Sequence, residues 1–158
     1  MSRAAMLGEI SAMAEYFDRS TRPLTEADST YAPQAGLFTV SQVVAHVAQT
    51  VDWFINGAFA AEGFSMDFEA MDKEVRAITS LDHARVWFAR SVAKAKATLE
   101  DKPEAEWSMS LPPGPIMGGL PRAAVLGACT DHTAHHRGAL TVYTRLLGKV
   151  PPMPYMDM

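Results

Sequence analysis

The stretch from Pro121 to Gly148 limits the choice of fold more than any other. It has no internal proline, and apolar residues recur in it at three- and four-residue steps. Proline is favourable in a first helical turn and glycine just past the last one, so both ends are marked. The segment predicts one helix of roughly 27 residues, about 40 Å long at about 1.5 Å per residue. Nowhere does the chain alternate apolar and polar residues strictly over about five positions, so no sheet is expected to cover this rod.

Three other segments carry helical periodicity. The first runs from Arg3 to Phe17, with Met6, Ile10, Met13 and Phe17 on one face. A connection rich in turn formers, "DRSTRPLTEADSTYAPQAGLF", follows it. The second helix starts at Thr39, where Gln42 completes a capping box. Its apolar positions are Val43, Val47, Val51, Phe54 and Ala58, with Gly57 inside and Gly63 at its end. Between Phe64 and Thr79 the pattern is ambiguous, and "MDFEAMDKEVRAI" is compatible with a short helix. The third long helix takes Ser80 as N-cap, runs through Val86, Ala89, Val92, Ala93, Lys96 and Leu99, and stops at Pro103. The Pro- and Gly-rich "WSMSLPPGPIMGGLP" predicts a loop, a lid or rim over one end of the bundle. The tail "VPPMPYMDM" is not expected to be helical. Together these segments predict an all-α chain. It would be a four-helix bundle with long crossover connections, residues 1–158 forming one domain.

Charge and composition narrow the partners. A hydrophobic share of 48%, a charged share of 20% and a net charge of −4 match a water-soluble globular chain. They argue against nucleic acid, which is bound through clustered Lys and Arg. No apolar run reaches the roughly 18 residues a membrane span needs, and the N-terminal segment lacks the pattern of a secretory signal. Cys129 is the only cysteine, so an internal disulfide is impossible and a cytoplasmic setting is expected.

The long C-terminal helix contains an anomaly. "CTDHTAHHRGAL" holds three of the five histidines. At about 100° per residue His132 and His136 lie about 40° apart, on the stripe that also carries Val125, Cys129 and Tyr143. That stripe faces inward, and His135 falls at its edge. On the second helix His46 sits between Val43 and Val47, with Thr39, Thr50, Trp53 and Gly57 within about 40° of it. Each buried imidazole without a partner costs about 1–3 kcal/mol. Separate hydrogen bonds to each ring would remove that cost. A shared divalent metal removes it at once, since each lone-pair nitrogen becomes a ligand. Cys129, three residues before His132, would close such a site if it ligated, and it reads equally as a small core residue. The absence of an ExxH pair argues against a ferritin-type di-iron site. "PPGPIMGG" lacks the strand and the GK of a phosphate loop.

These residues resemble a known family. "DHTAHHRGAL" is similar to the "HxxHHRGQ" motif of the DinB/YfiT-like metalloenzymes. "FTVSQVVAHVAQTVDWF" resembles their second-helix "LxHL" element, and "RLLGKVPPMPYMD" their "LRxLGxxPP" ending. The similarity covers nearly the whole chain in order and spacing. It implies a bundle of up-down-down-up connectivity, a homodimer, and a divalent metal held by one histidine of the second helix and two of the last. Carried onto this chain, the ligands are His46, His132 and His136, and His135 is not one. Arg137 and Gly138 match the motif, whereas Ala139 replaces the usual Gln and removes any hydrogen bond it would make. Characterised relatives use low-molecular-weight thiols such as bacillithiol or mycothiol. The resemblance therefore implies a thiol-dependent S-transferase acting on a small electrophile.

The chemistry of such a site is coherent. Three neutral histidines leave the ion's charge uncompensated and at least one position open, the mark of catalytic rather than structural zinc. A thiol binding there loses its proton and becomes a nucleophile. Activation of water toward hydrolysis is the alternative, and a non-catalytic metal- or ligand-binding bundle is the rival from another class. Zinc, nickel, iron or cobalt all suit three imidazoles. Thr50, Trp53 and Tyr143 fall near the histidine face as candidate substrate contacts, and Tyr143 and Arg137 as candidate participants in the chemistry. Each has a plainer reading: Thr50 bonded to its own helix, Trp53 and Tyr143 as core packing, Arg137 in a surface salt bridge.

Overall fold

Three of the four long helices begin where a side chain satisfies a first-turn amide; the last, led by Ala123, has no such cap. The structure is a computed structural model describing residues 1–156; Asp157 and Met158, the end of the tail expected to be non-helical, lie outside the described residues. Helix α1 (Arg3–Thr21) is capped by Ser2, α2 (Val40–Phe59) by Thr39 and α4 (Leu81–Asp101) by Ser80. The Thr39–Gln42 capping box forms as expected. Between α2 and α4 lies the short helix α3 (Phe68–Arg76), capped by Asp67, which resolves the ambiguous region. After α4 come a single turn, α5 (Glu104–Trp107), and then α6 (Ala124–Leu146).

Two ends differ from expectation. α6 starts at Ala124 rather than near Pro121, because the amides of Ala124, Val125 and Leu126 bond to carbonyls three residues back in a tighter turn. α1 runs a turn past Phe17 to Thr21, whose hydroxyl donates to the Phe17 carbonyl. Arg85 donates to the Thr21 and Leu24 carbonyls and so satisfies that helix end.

Side-chain contacts fix the helix directions. Thr130 donates to Glu9 and Thr133 to Met13, so α1 and α6 run parallel. Arg3 donates to the Leu99 and Lys102 carbonyls while Phe17 meets Phe88, so α1 and α4 are antiparallel. His46 meets His132, and Phe38 just ahead of α2 meets Tyr143, so α2 and α6 are antiparallel. Each long helix packs against two others around a square, in up-down-down-up order. Between them Met6, Ile10, Phe17, Val44, Val47, Leu99, Leu126 and Leu140 are completely buried.

The inner face of α4 is a correction. Its buried stripe is Leu81, Ala84, Phe88, Ser91, Val92, Ala95 and Leu99. Val92 and Leu99 belong to the expected series, but Ala89 and Ala93 are exposed and Val86 is 68% exposed. The rotation of α4 is set by Asp52 of α2, whose carboxylate accepts from Trp87 Nε1 at 2.9 Å and Ser91 Oγ at 2.8 Å. Those polar contacts favour a face that counting apolar residues does not select.

The loop after α5 does cover a bundle end, but the end remote from the histidines. Pro112–Ile116 pack beside Glu62, Gly63, Phe64 and Met66, beyond the C-terminus of α2. At that same end Gly57 has a packing reason for standing inside a helix. A Cβ there would fall 2.2 Å from Cδ1 of Phe64, whose ring occupies the space a side chain would fill. Gly57→Ala is therefore expected to displace Phe64 and cost about 1–3 kcal/mol in urea unfolding, despite alanine's better helix propensity. An unchanged midpoint would show that the ring swings clear.

Candidate metal centre

α2 places His46 on the face that meets α6, and α6 places His132 and His136 one turn apart opposite it. The three rings converge. Their centroids are 4.9 Å (His46–His132), 4.7 Å (His46–His136) and 4.5 Å (His132–His136) apart. Nε2 of His132 lies 3.2 Å from Nε2 of His46 and 3.2 Å from Nε2 of His136. All three side chains are half-buried, and their donor atoms fall within 4.8 Å of one another.

This geometry fits a shared ion. Two nitrogens bound to one cation at about 2.0–2.1 Å, at octahedral or tetrahedral angles, stand about 2.8–3.4 Å apart. Without a cation the arrangement is awkward. The His132 Nε2 faces two other ring nitrogens, and one proton cannot serve both contacts well. A cation accepts all three lone pairs together.

The electrostatics agree. Burial pushes His132 down to about 4 and His136 down to about 3, and repulsion among the neighbouring imidazoles adds to it. Burial also lowers His46, against the opposing pull of the Asp72 carboxylate. The rings are therefore neutral at physiological pH, the form that ligates.

Cys129 stands apart from this group. It is fully buried one turn earlier on α6, and burial, with the Glu9 charge behind it, holds its thiol at about 12. It is an inert core thiol, and the three-histidine set keeps a free side. His135 is exposed, its ring edge-on to His136 at 4.8 Å between centroids. His83 is exposed in the first turn of α4.

The remaining candidates fall in different places. Thr50 is buried one turn along α2 from His46. Trp53, a further turn on, donates from Nε1 to the Ser65 carbonyl at 2.9 Å and packs among Phe54, Phe64 and Phe68. Tyr143 is buried and donates its hydroxyl to the Phe38 carbonyl at 3.2 Å, tying α6 to the segment that enters α2. Tyr143→Phe orphans that carbonyl and is expected to cost about 1 kcal/mol in thermal unfolding. No loss would mean that the hydroxyl is not engaged. Arg137 turns away from the histidines, its guanidinium 5.9 Å from the Tyr16 ring and 5.6 Å from that of Tyr155 in the tail.

Three neighbours of the centre lie outside the expected set. The Phe38 ring packs 5.5 Å from that of His46. Arg76 lies over Phe38, and Asp72 is near enough for its charge to act on His46. Phe38 precedes the N-cap of α2, where a hydrophobic staple calls for an apolar residue, so a signal for its inward position existed. Asp72 and Arg76 carried only an i,i+4 charge pattern within the ambiguous region.

Fold and site define a class: a helical bundle whose long helices bring three imidazoles to one point able to hold a divalent cation. The sequence model of the DinB family matches residues 1–158, the whole chain. The protein belongs to the DinB family. No curated protein matches it significantly.

Proposed function

We propose that this protein is a metal-dependent thiol S-transferase that joins the sulfur of a low-molecular-weight thiol to a small electrophile. One observation carries the reading. Three neutral imidazoles from two helices meet at Nε2, half-buried rather than sealed, and no fourth protein ligand completes the described set. A divalent cation held there, zinc, nickel or iron, supplies the positive charge that favours the thiolate form of an incoming thiol. His46, His132 and His136 hold it and, being neutral, offset none of its charge. Thr50 and Trp53 follow His46 along α2 at one- and two-turn steps, and we assign them to the electrophile's side of the centre, with the aromatic neighbours of Trp53 as its apolar surroundings. Tyr143 orients the chain entering α2 through the Phe38 carbonyl. In the net reaction the thiol proton passes to solvent, an S–C bond forms, and the leaving group departs with its electron pair.

We read residues 1–158 as one domain acting as a homodimer in a reducing cytoplasm, supported by the family resemblance and the single buried cysteine. The test begins with metal analysis of protein purified without a histidine tag. The loaded protein is then incubated with bacillithiol or mycothiol and a small alkylating agent, and products are read by mass spectrometry. A thioether formed faster than in the protein-free control, and lost on chelation, is the expected result. A hydrolysed electrophile in its place would make the protein a metal-dependent hydrolase. Neither product, with metal bound, would leave a binding bundle without catalysis.

A further inference from the structure

α3 lies along α2, and its C-terminal half brings charge to the histidine centre. Gln49 of α2 donates to the Met71 carbonyl and to Glu74, and Gln42 donates to the Arg76 carbonyl. Gln42 is also the residue that closes the capping box of α2. The backbone of Arg76 is thereby fixed to the helix that carries His46. Its side chain is held as well. The guanidinium sits 4.8 Å over the Phe38 ring, and that ring packs 5.5 Å from the His46 imidazole. Nε donates to Asp72 Oδ2 at 2.8 Å, and the side chain is 46% exposed.

An arginine tethered through Nε and stacked on an aromatic face is pre-oriented. Its two terminal nitrogens have no partner among the described residues and form a planar fork open to solvent. That fork matches a carboxylate, and little side-chain entropy remains to be lost on binding one. It stands two ring contacts from the metal-binding nitrogens, beyond the first layer around an ion. A ligand reaching both must carry its anionic group several bonds from its donor atom.

We propose that Arg76 is a specificity-determining residue that selects thiols bearing a carboxylate remote from the sulfur, with Phe38 as the platform that holds it in place. This rests on the reading of the centre as a thiol site. Phe38 and Arg76 then form one wall of the approach to the histidines. Asp72 sets the angle of the guanidinium and keeps the wall's net charge low until a carboxylate arrives.

The test uses the whole chain loaded with Co²⁺, whose thiolate-to-metal absorption band reports sulfur on the ion independently of turnover. Dissociation constants are measured for mercaptohexanoate and its neutral counterpart mercaptohexanol. Their chains are too long for the carboxylate to form a small chelate ring. The acid is expected to bind about five- to tenfold more tightly, as a charge-assisted pair at a half-exposed arginine allows. Arg76→Gln brings the ratio to about one, and Arg76→Lys, which keeps the charge but not the fork, falls between. Cobalt content and the helical circular dichroism of each variant check that the bundle is intact. Equal affinities in the wild-type protein, or a ratio unmoved by either substitution, overturn the assignment to Arg76. A missing band with both thiols overturns the thiol reading itself, and the selection with it.

Discussion

His132→Ala is expected to leave the protein without stoichiometric metal, its affinity lowered by more than about a hundredfold. Loss of a supporting contact behind a ligand already costs roughly 10–100-fold, and here a ligand itself is removed. His132 is the substitution of choice because its Nε2 is 3.2 Å from both other ring nitrogens, at the middle of the triad. His136→Ala is expected to behave alike. His135→Ala is the control, since that ring is exposed and touches the centre only by its edge on His136. It should keep full metal. The measurement is metal content by mass spectrometry after equilibration with excess ion, with the melting temperature read in parallel. Bound metal stabilises the folded state by mass action, so the wild type should melt higher with metal than without, and His132→Ala should not. Full metal in His132→Ala, or equal loss in His135→Ala, would remove the basis for the centre.

Acid should act on the metal-free protein and on its metal affinity in different pH ranges. In the unfolded chain each histidine titrates near its ordinary 6.5, whereas in the fold His132 is held at about 4 and His136 at about 3, chiefly by burial. Between those limits the unfolded state binds more protons than the native one. Stability from these groups is therefore complete above about pH 6.5 and is lost as pH falls through the folded values. Urea midpoints of the metal-free protein should decline from about pH 6.5 downward, and His132→Ala should flatten part of that decline. Metal affinity of the folded protein follows the folded values. Proton competition at His132 and His136 should begin only near pH 4, well below the range where an exposed histidine chelator fails. Isothermal titration from neutral to acid pH checks this. A midpoint rising with acidity, or metal affinity already lost in full at pH 6.5, would contradict the neutral, desolvated state assigned to these rings.

Much of the candidate centre was readable in the chain itself. His132 and His136 stand four residues apart in a segment whose length and apolar spacing allow only a helix, and helical geometry alone puts them on one face. His46 lies on the apolar stripe of a helix whose start is marked by Thr39 and Gln42. Local periodicity and capping are short-range effects, so they survive without knowledge of the fold. That both stripes face inward followed from periodicity and that they share an ion from the cost of burying three imidazoles, while the family resemblance supplied the ligand set.

The third long helix shows where such reasoning stops. Val86, Ala89 and Ala93 made an acceptable stripe on counting, yet they are exposed. Asp52, from a helix distant in sequence, holds Trp87 and Ser91 and turns α4 to bury Phe88 instead. Arg137 shows the same limit. Its neighbour His136 points to α2, but one residue further round the helix means the opposite groove, among Tyr16 and Tyr155. α3 was a short, polar segment whose docking on Gln42 and Gln49 no local pattern announces.

By itself, then, the order of residues determined the helices, most of their caps, and which imidazoles lie on apolar stripes. These follow from backbone hydrogen bonding and side-chain periodicity within a few turns. Tertiary structure alone decided that three Nε2 atoms stand 3.2 Å apart in sequence from His46 through His132 to His136. It also decided that their pKa values fall and that Phe38 and Arg76 border them. Those depend on the distance, desolvation and rotation of helices far apart in the chain, set by packing over the whole bundle.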